Sequence, residues 1–176
     1  MRRMLMAKPK NENRDYDSRP ETRDHIHRVG DFLTIAIGNL RNRMSEHDAS
    51  KLIEPELSAF DIATPKLAQM EYGSDEYKQS LRDLGPALQH HFEHNDHHPE
   101  HYENGVRGMS LMALIEMLCD WRAASERGKQ RTDDPAKVKT FESGLAYNQE
   151  RFGYSDELAE ILLNTARELG MVAADG

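Results

Sequence analysis

At 176 residues the chain is long enough to bury a core without help from disulfides or a structural metal. Hydrophobic residues make up 38% and charged residues 31%, which excludes a disordered chain, and a net charge of −8 argues against a broad basic face for long nucleic acid. The single cysteine, Cys119, excludes an intramolecular disulfide and suits a reducing, cytoplasmic setting; no stretch is apolar enough for a secretion signal or a membrane span.

Residues 1–19 are polar, of mixed charge and without periodicity, and read as a flexible arm. From Pro20 to Met44, Ile26, Val29, Leu33, Ile37, Leu40 and Met44 recur at three- and four-residue spacing, so this stretch is expected to be an amphipathic helix. A short helix through EHDASKLI should stop near Glu54-Pro55, because proline lacks a backbone donor and disfavours helix before it. The stretch from Pro55 to Ser74 is expected to give half a turn of helix and then an irregular crossing. Ser74 caps the next helix, which should run past a kink at Gly85-Pro86 and through a histidine run until Pro99 ends it. Ser110 opens a helix through SLMALIEMLCDWRAASER. Two more follow, at about 135–150 and 156–169, the last capped by Ser155 and stopped by Gly170, with a tail over 171–176. No strand alternation is present. The expectation is an all-α chain of five to seven helices, with a single compact domain over residues 20–170.

The residues that carry chemistry lie in four places. Six of the nine histidines fall within HHFEHNDHHPEHY, residues 90–102. His91, His94 and His98 follow one another at spacings of three and four and share a helix face, while His90 and His97 form an overlapping stripe. His94 and His101 have polar surroundings and are expected to be solvated. Elsewhere stand His25 and His27, the pair His47-Asp48, and Asp120. The last sits among Met117, Leu118, Cys119 and Trp121, a costly place for a carboxylate unless a cation compensates it. Glu116, one turn earlier on the same face, is placed to orient a ligand. Histidines and carboxylates converging from separate elements are the usual donor set for a divalent ion, so the run reads as the wall of a metal-centred pocket.

The order His, His-Asp, His, His, Asp on consecutive helices resembles the HD-domain superfamily of metal-dependent phosphohydrolases. HIHRV looks like that superfamily's opening motif and favours His25 over His27. HDASKL is similar to its central motif, with a lysine placement like that of the HD-GYP phosphodiesterase branch, although that branch's glycines and GYP triplet are missing. A second resemblance covers nearly residues 20–169: HDASKL, YGSDEYK, HHPEHYENG and EMLCDW look like a phage and bacterial family catalogued only as a domain of unknown function.

The superfamily resemblance implies an HD-domain-like fold in which His25, His47, Asp48 and Asp120 bind one divalent ion (Mn, Co, Zn, Mg or Fe). It further implies that His91 with His97 or His98 serves a second ion or the leaving group. Asp48 would bind metal and align the attacking water. Lys51, three residues on, would reach a phosphate oxygen; a glutamate holds its place in the nucleoside-monophosphatase branch, so that branch's mechanism does not transfer unchanged. His90, Arg28, Arg107 and Arg122 are further candidates for contact with substrate. The expected activity is hydrolysis of a small nucleotide or related phosphate ester, with homo-oligomerisation open by analogy and no long nucleic acid or membrane as partner. The alternatives are a di-iron oxygenase on the same fold and a non-catalytic, phage-encoded binding protein whose metal is structural.

Overall fold

The computed structural model describes residues 16–70, 73–129 and 140–172. The proposed arm up to residue 15, the start of the helix expected from 135, and the tail beyond 172 lie outside the described residues. Among those described, the chain is all-α, with seven α-helices, three short 3-10 helices and no strand. It divides into two units, residues 1–38 and 39–176. No helix among the described residues is long and apolar enough to cross a membrane.

The first unit contains the N-terminal two-thirds of α1 (Arg19–Glu46). The expected periodicity is helical, as Ile26, Val29, Leu33 and Ile37 require, but the helix buries no residue and these four side chains are exposed.

In the second unit, the end of α1 leads through His47 and Asp48 into a 3-10 helix at Ala49–Leu52. Helix α2 (Glu56–Leu67) corrects the expectation of an irregular crossing. Pro55 occupies the cap position ahead of the first turn, where no intrahelical donor is needed, and Pro65 lies within the last turn, where it forfeits one backbone bond without ending the twelve-residue helix before Leu67.

The expected kinked helix is in fact two, α3 (Asp75–Asp83) and α4 (Pro86–His94). Gly85 separates them at φ 50° and ψ −119°, a conformation that a side chain would strain, and Pro86 then opens α4 at its first position. Ser74 caps α3 by accepting from the Tyr77 amide at 3.1 Å, as its type predicts. Helix α4 stops at His94 rather than at Pro99, because Asn95 turns to extended backbone and its buried side-chain amide donates to the His91 carbonyl at 2.8 Å. Residues 95–98 therefore leave the helix and carry His97 and His98 on an irregular turn, ahead of short 3-10 helices at Pro99–His101 and Gly105–Gly108.

Helices α5 (Leu111–Lys129), α6 (Phe141–Phe152) and α7 (Asp156–Glu168) form the apolar core. Ser110, Thr140 and Ser155 each cap a first turn through a side-chain oxygen. Met117 and Leu118 on α5 are essentially inaccessible and pack with Val106, Leu114, Phe141, Leu145, Tyr154, Leu162 and Ala166. The Tyr154 hydroxyl donates to the Leu145 carbonyl at 3.0 Å, satisfying a polar group inside that core. Packing fixes one face of α5, so the same helix presents Glu116 and Asp120, one turn apart, away from the core.

Candidate metal centre

Asp48 is the hub. It lies in left-handed backbone at φ 55°, a conformation that few residues besides glycine adopt but that aspartate tolerates, and its side chain makes no helix-capping bond. The carboxylate is thereby left to face inward. Oδ2 accepts from Lys51 Nζ at 2.6 Å. Oδ1 faces Nε2 of His91 at 3.4 Å and Nε2 of His97 at 3.7 Å, while Nε2 of His98 stands 2.9 Å from that of His91. On the other side, His47 Nε2 lies 3.7 Å from Asp48 Oδ2 and 3.8 Å from Asp120 Oδ1.

Three overlapping groups result, in each of which one donor atom per residue lies within 4.8 Å of the others: Asp48, His91, His97 and His98; His47, His97 and Glu116; His47, Asp48 and Asp120. Two nitrogens or oxygens about 2.1 Å from a shared ion stand about 3.0–3.4 Å apart between octahedral and tetrahedral angles. The separations around Asp48 Oδ1 fall in or just outside that range.

Two glutamates stand behind the histidines. Glu56, the first residue of α2, is wholly buried; its Oε1 accepts from His90 Nδ1 at 2.7 Å and its Oε2 from His91 Nδ1 at 2.9 Å and the Ser50 hydroxyl at 3.0 Å. Glu116 accepts through Oε1 from His47 Nδ1 at 2.9 Å, and the same oxygen faces His97 Nδ1 at 3.2 Å. Its Oε2 accepts from Arg43 at 2.7 Å, and Arg43 grips Asp96 with two further bonds of 2.7 Å.

The electrostatics follow from this layout. Burial works to raise the Asp48 carboxyl, but Lys51, His47 and His91 outweigh it and hold it below the usual carboxylate range. Burial likewise opposes ionisation of Glu56, and the bonds from His90, Ser50 and His91 overcome it. His91 is lowered chiefly by burial and by Lys51; His97 is lowered by burial to about 4 and His98 to about 2. These imidazoles are therefore neutral near pH 7, the form that ligates. The Arg43 guanidinium is held charged, first by Asp96 and then against the cost of burial with help from Glu116.

The histidine run thus divides. His91, His97 and His98 converge on Asp48, and His90 joins through Glu56 while stacking on exposed His94 at 3.9 Å between ring centroids. His94 and His101, both exposed, bind backbone carbonyls of His90 and Phe92. His25 and His27 are exposed on α1 within the first unit, and the three donor groups are made without them. Arg28 pairs with Asp31 at 3.4 Å and Arg122 with Glu126 at 3.0 Å, while Arg107 is exposed on the last short 3-10 helix.

Sequence reasoning missed Glu56, Arg43, Asp96 and Ser50. Glu56 follows a proline in a segment read as irregular, so nothing marked it as buried. A weak signal was present for Arg43, a cation five residues before Asp48, although Arg41 beside it carried the same one.

The residues fit a cation. Asp48 Oδ1 and His97 Nε2 are buried, face each other, and have no hydrogen-bond partner among the described residues. With its other nitrogen turned to Glu116, the His97 ring presents a lone pair to a carboxylate oxygen. That pairing is repulsive unless a positive charge or a bridging donor lies between the two.

Among the described residues the fold is all-helical, and it brings together groups of imidazoles and carboxylates that could hold a metal ion. The chain belongs to the family of unknown function DUF5662, whose model matches residues 14–168. No curated protein and no solved structure matches it.

Proposed function

We propose that the protein is a metal-dependent phosphohydrolase acting on a small nucleotide or related phosphate ester, as the resemblance to the HD-domain superfamily implies. The observation that carries this reading is the unpartnered pair Asp48 Oδ1 and His97 Nε2, enclosed by His91, His98, His47 and Asp120. Asp48, His91, His97 and His98 would hold one ion, and His47 with Asp120 on the other side of Asp48 could serve a second, all within residues 39–176. Such an ion supplies Lewis acidity, which acidifies water near neutral pH and offsets charge on a phosphoryl group.

The chain's own residues supply the rest. Asp48, kept ionised by Lys51, accepts a hydrogen bond from the attacking water and aligns it. Lys51 sits at the border of the cage, about one-third exposed, with its ammonium on Asp48 and 5.1 Å above the Phe60 ring. When a phosphate enters, this ammonium swings from Asp48 Oδ2 to a phosphate oxygen, a short transfer for a flexible point charge. His90, partly exposed and held through Nδ1 by Glu56, is a further candidate for contact with the entering group. The acidic chain as a whole favours a small substrate over a polymer.

The test is phosphate release from a panel of ribo- and deoxynucleotides in the presence of Mn, Co, Zn or Mg, with Asp48→Ala as control. Release that depends on the ion and is lost in the variant supports the reading; release that persists in the variant rejects this site. The nitrogen-rich donor set suits iron equally, so co-purified iron with oxygen consumption and no phosphate release identifies the oxygenase alternative instead.

A further inference from the structure

We propose that Glu56 and Glu116 are positioning residues that set the proton on Nδ1 of His91, His47 and His97, and so reserve their Nε2 lone pairs for a divalent transition ion at Asp48. This rests on the metal-centred reading above and adds how the apo protein is prepared for the ion and which ions it prefers.

An ionised carboxylate only accepts hydrogen bonds, so a neutral imidazole held by one through Nδ1 must carry its proton there. Glu56 Oε2 lies 2.9 Å from His91 Nδ1, and Glu116 Oε1 lies 2.9 Å from His47 Nδ1 and 3.2 Å from His97 Nδ1. Two neighbours compete at His91 and neither reverses this choice: His98 Nε2, 2.9 Å from His91 Nε2, can donate to it, and Asn95 Nδ2, 3.1 Å from His91 Nδ1, has shorter acceptors. Both hydrogens of the Asn95 amide are taken, by Ser50 Oγ and by the His91 carbonyl at 2.8 Å each. Ser50 in turn donates to Glu56. Each of the three rings therefore turns a bare nitrogen towards Asp48 or Asp120. A carboxylate behind a ligating histidine also strengthens it as a donor. Several imidazoles and few carboxylates favour Zn, Co, Mn or Fe over Mg or Ca, which prefer oxygen.

The two glutamates differ in one respect that makes the idea testable. Arg43 donates to Glu116 Oε2 at 2.7 Å and demands an oxygen there. In Glu116→Gln the carboxamide oxygen must serve Arg43, which turns its NH2 to His47 and His97. Both rings must then accept through Nδ1 and move their protons to Nε2, where they block the ion. Glu56 has no guanidinium among its partners. In Glu56→Gln the oxygen can stay with His91 while the NH2 meets His90, whose ring is free to take the other tautomer.

The experiment has two arms on the full chain. Long-range 1H–15N correlation spectra of the metal-free wild type should show the Nδ1–H form for His47, His91 and His97; the Nε2–H form at these rings overturns the proposal. Cobalt affinity is then measured by chelator competition, together with the visible absorption of bound Co2+. Glu116→Gln should bind cobalt 10- to 100-fold more weakly and show Nε2–H at His47, whereas Glu56→Gln should stay within about threefold of wild type. Equal affinity in Glu116→Gln and wild type, equal losses in both variants, or magnesium competing with cobalt at similar concentration overturns it. A wild type that binds cobalt as expected but releases no phosphate defeats the hydrolase reading and leaves this inference standing. A wild type that binds none of the four transition ions defeats both.

Discussion

Nε2 of His97 lies 3.7 Å from Oδ1 of Asp48, both atoms buried and neither with a hydrogen-bond partner among the described residues. Two acceptors set against each other in a protein interior cost free energy, about 1–3 kcal/mol for each buried group left unsatisfied. Replacing Asp48 by Asn puts an amide donor opposite the His97 lone pair while keeping a residue that tolerates φ 55°. The metal-free Asp48→Asn protein should therefore melt a few degrees higher than wild type. It should also lose most of the stabilisation that cobalt or zinc brings to the wild type, about 2.7 kcal/mol at a hundredfold excess over Kd. Calorimetry of both proteins with and without metal checks both halves; a variant that melts lower when metal-free contradicts the first.

Acid should destabilise the metal-free protein earlier than carboxylate protonation alone would. His97 and His98 are lowered to about 4 and about 2 by burial, whereas in the unfolded chain they regain a value near 6.5. Below about pH 6.5 the unfolded state binds protons that the folded state refuses, so stability falls as pH drops from about 6.5 towards 4, by about 1 kcal/mol per unit for each histidine. Asp48 and Glu56, both lowered, add losses of the same sign at more acidic pH. Urea titrations at pH 7, 6 and 5 should show the midpoint falling throughout; a flat profile over that range contradicts the prediction.

Lys51→Met keeps much of the length of the side chain and its contact with Phe60 but removes the ammonium. Under the proposed function, Asp48 should still support metal binding within a few-fold, while kcat/KM for a phosphate ester falls by about 10²–10³ through loss of a cation on the transferring group. Steady-state kinetics alongside cobalt affinity separates the two effects. An unchanged kcat/KM removes Lys51 from the mechanism.

The core of α5 and the site share one helix. Leu118, fully buried, packs with Phe141, Leu145 and Leu162, and Leu118→Ala should cost about 2–5 kcal/mol, measured by chemical denaturation. Because the opposite face carries Glu116 and Asp120, this variant should also weaken metal binding, though less than Asp48→Asn does.

The elements of the fold were largely legible because their causes are local. The caps Ser74, Ser110 and Ser155 and the spacing of Leu114, Met117 and Leu118 act within a turn or two of the chain, and the helices follow. Where the reading failed, residues 56–67 were taken as mostly irregular although they coil, and Asn95 was not seen as a stop ahead of Pro99.

The residue types of the site were visible for a different reason. Imidazoles in such density, an adjacent His-Asp pair and a carboxylate among apolar neighbours are costly to keep without a cation, so composition alone pointed to donors. Tertiary structure alone decided which histidines face Asp48, because leaving the helix at Asn95 frees His97 and His98 from helical spacing. It also brought Glu56, Arg43 and Glu116 behind the rings, contacts that span 34 to 73 residues along the chain. Hydrogen bonds over such distances depend on how helices pack, and no local pattern encodes that.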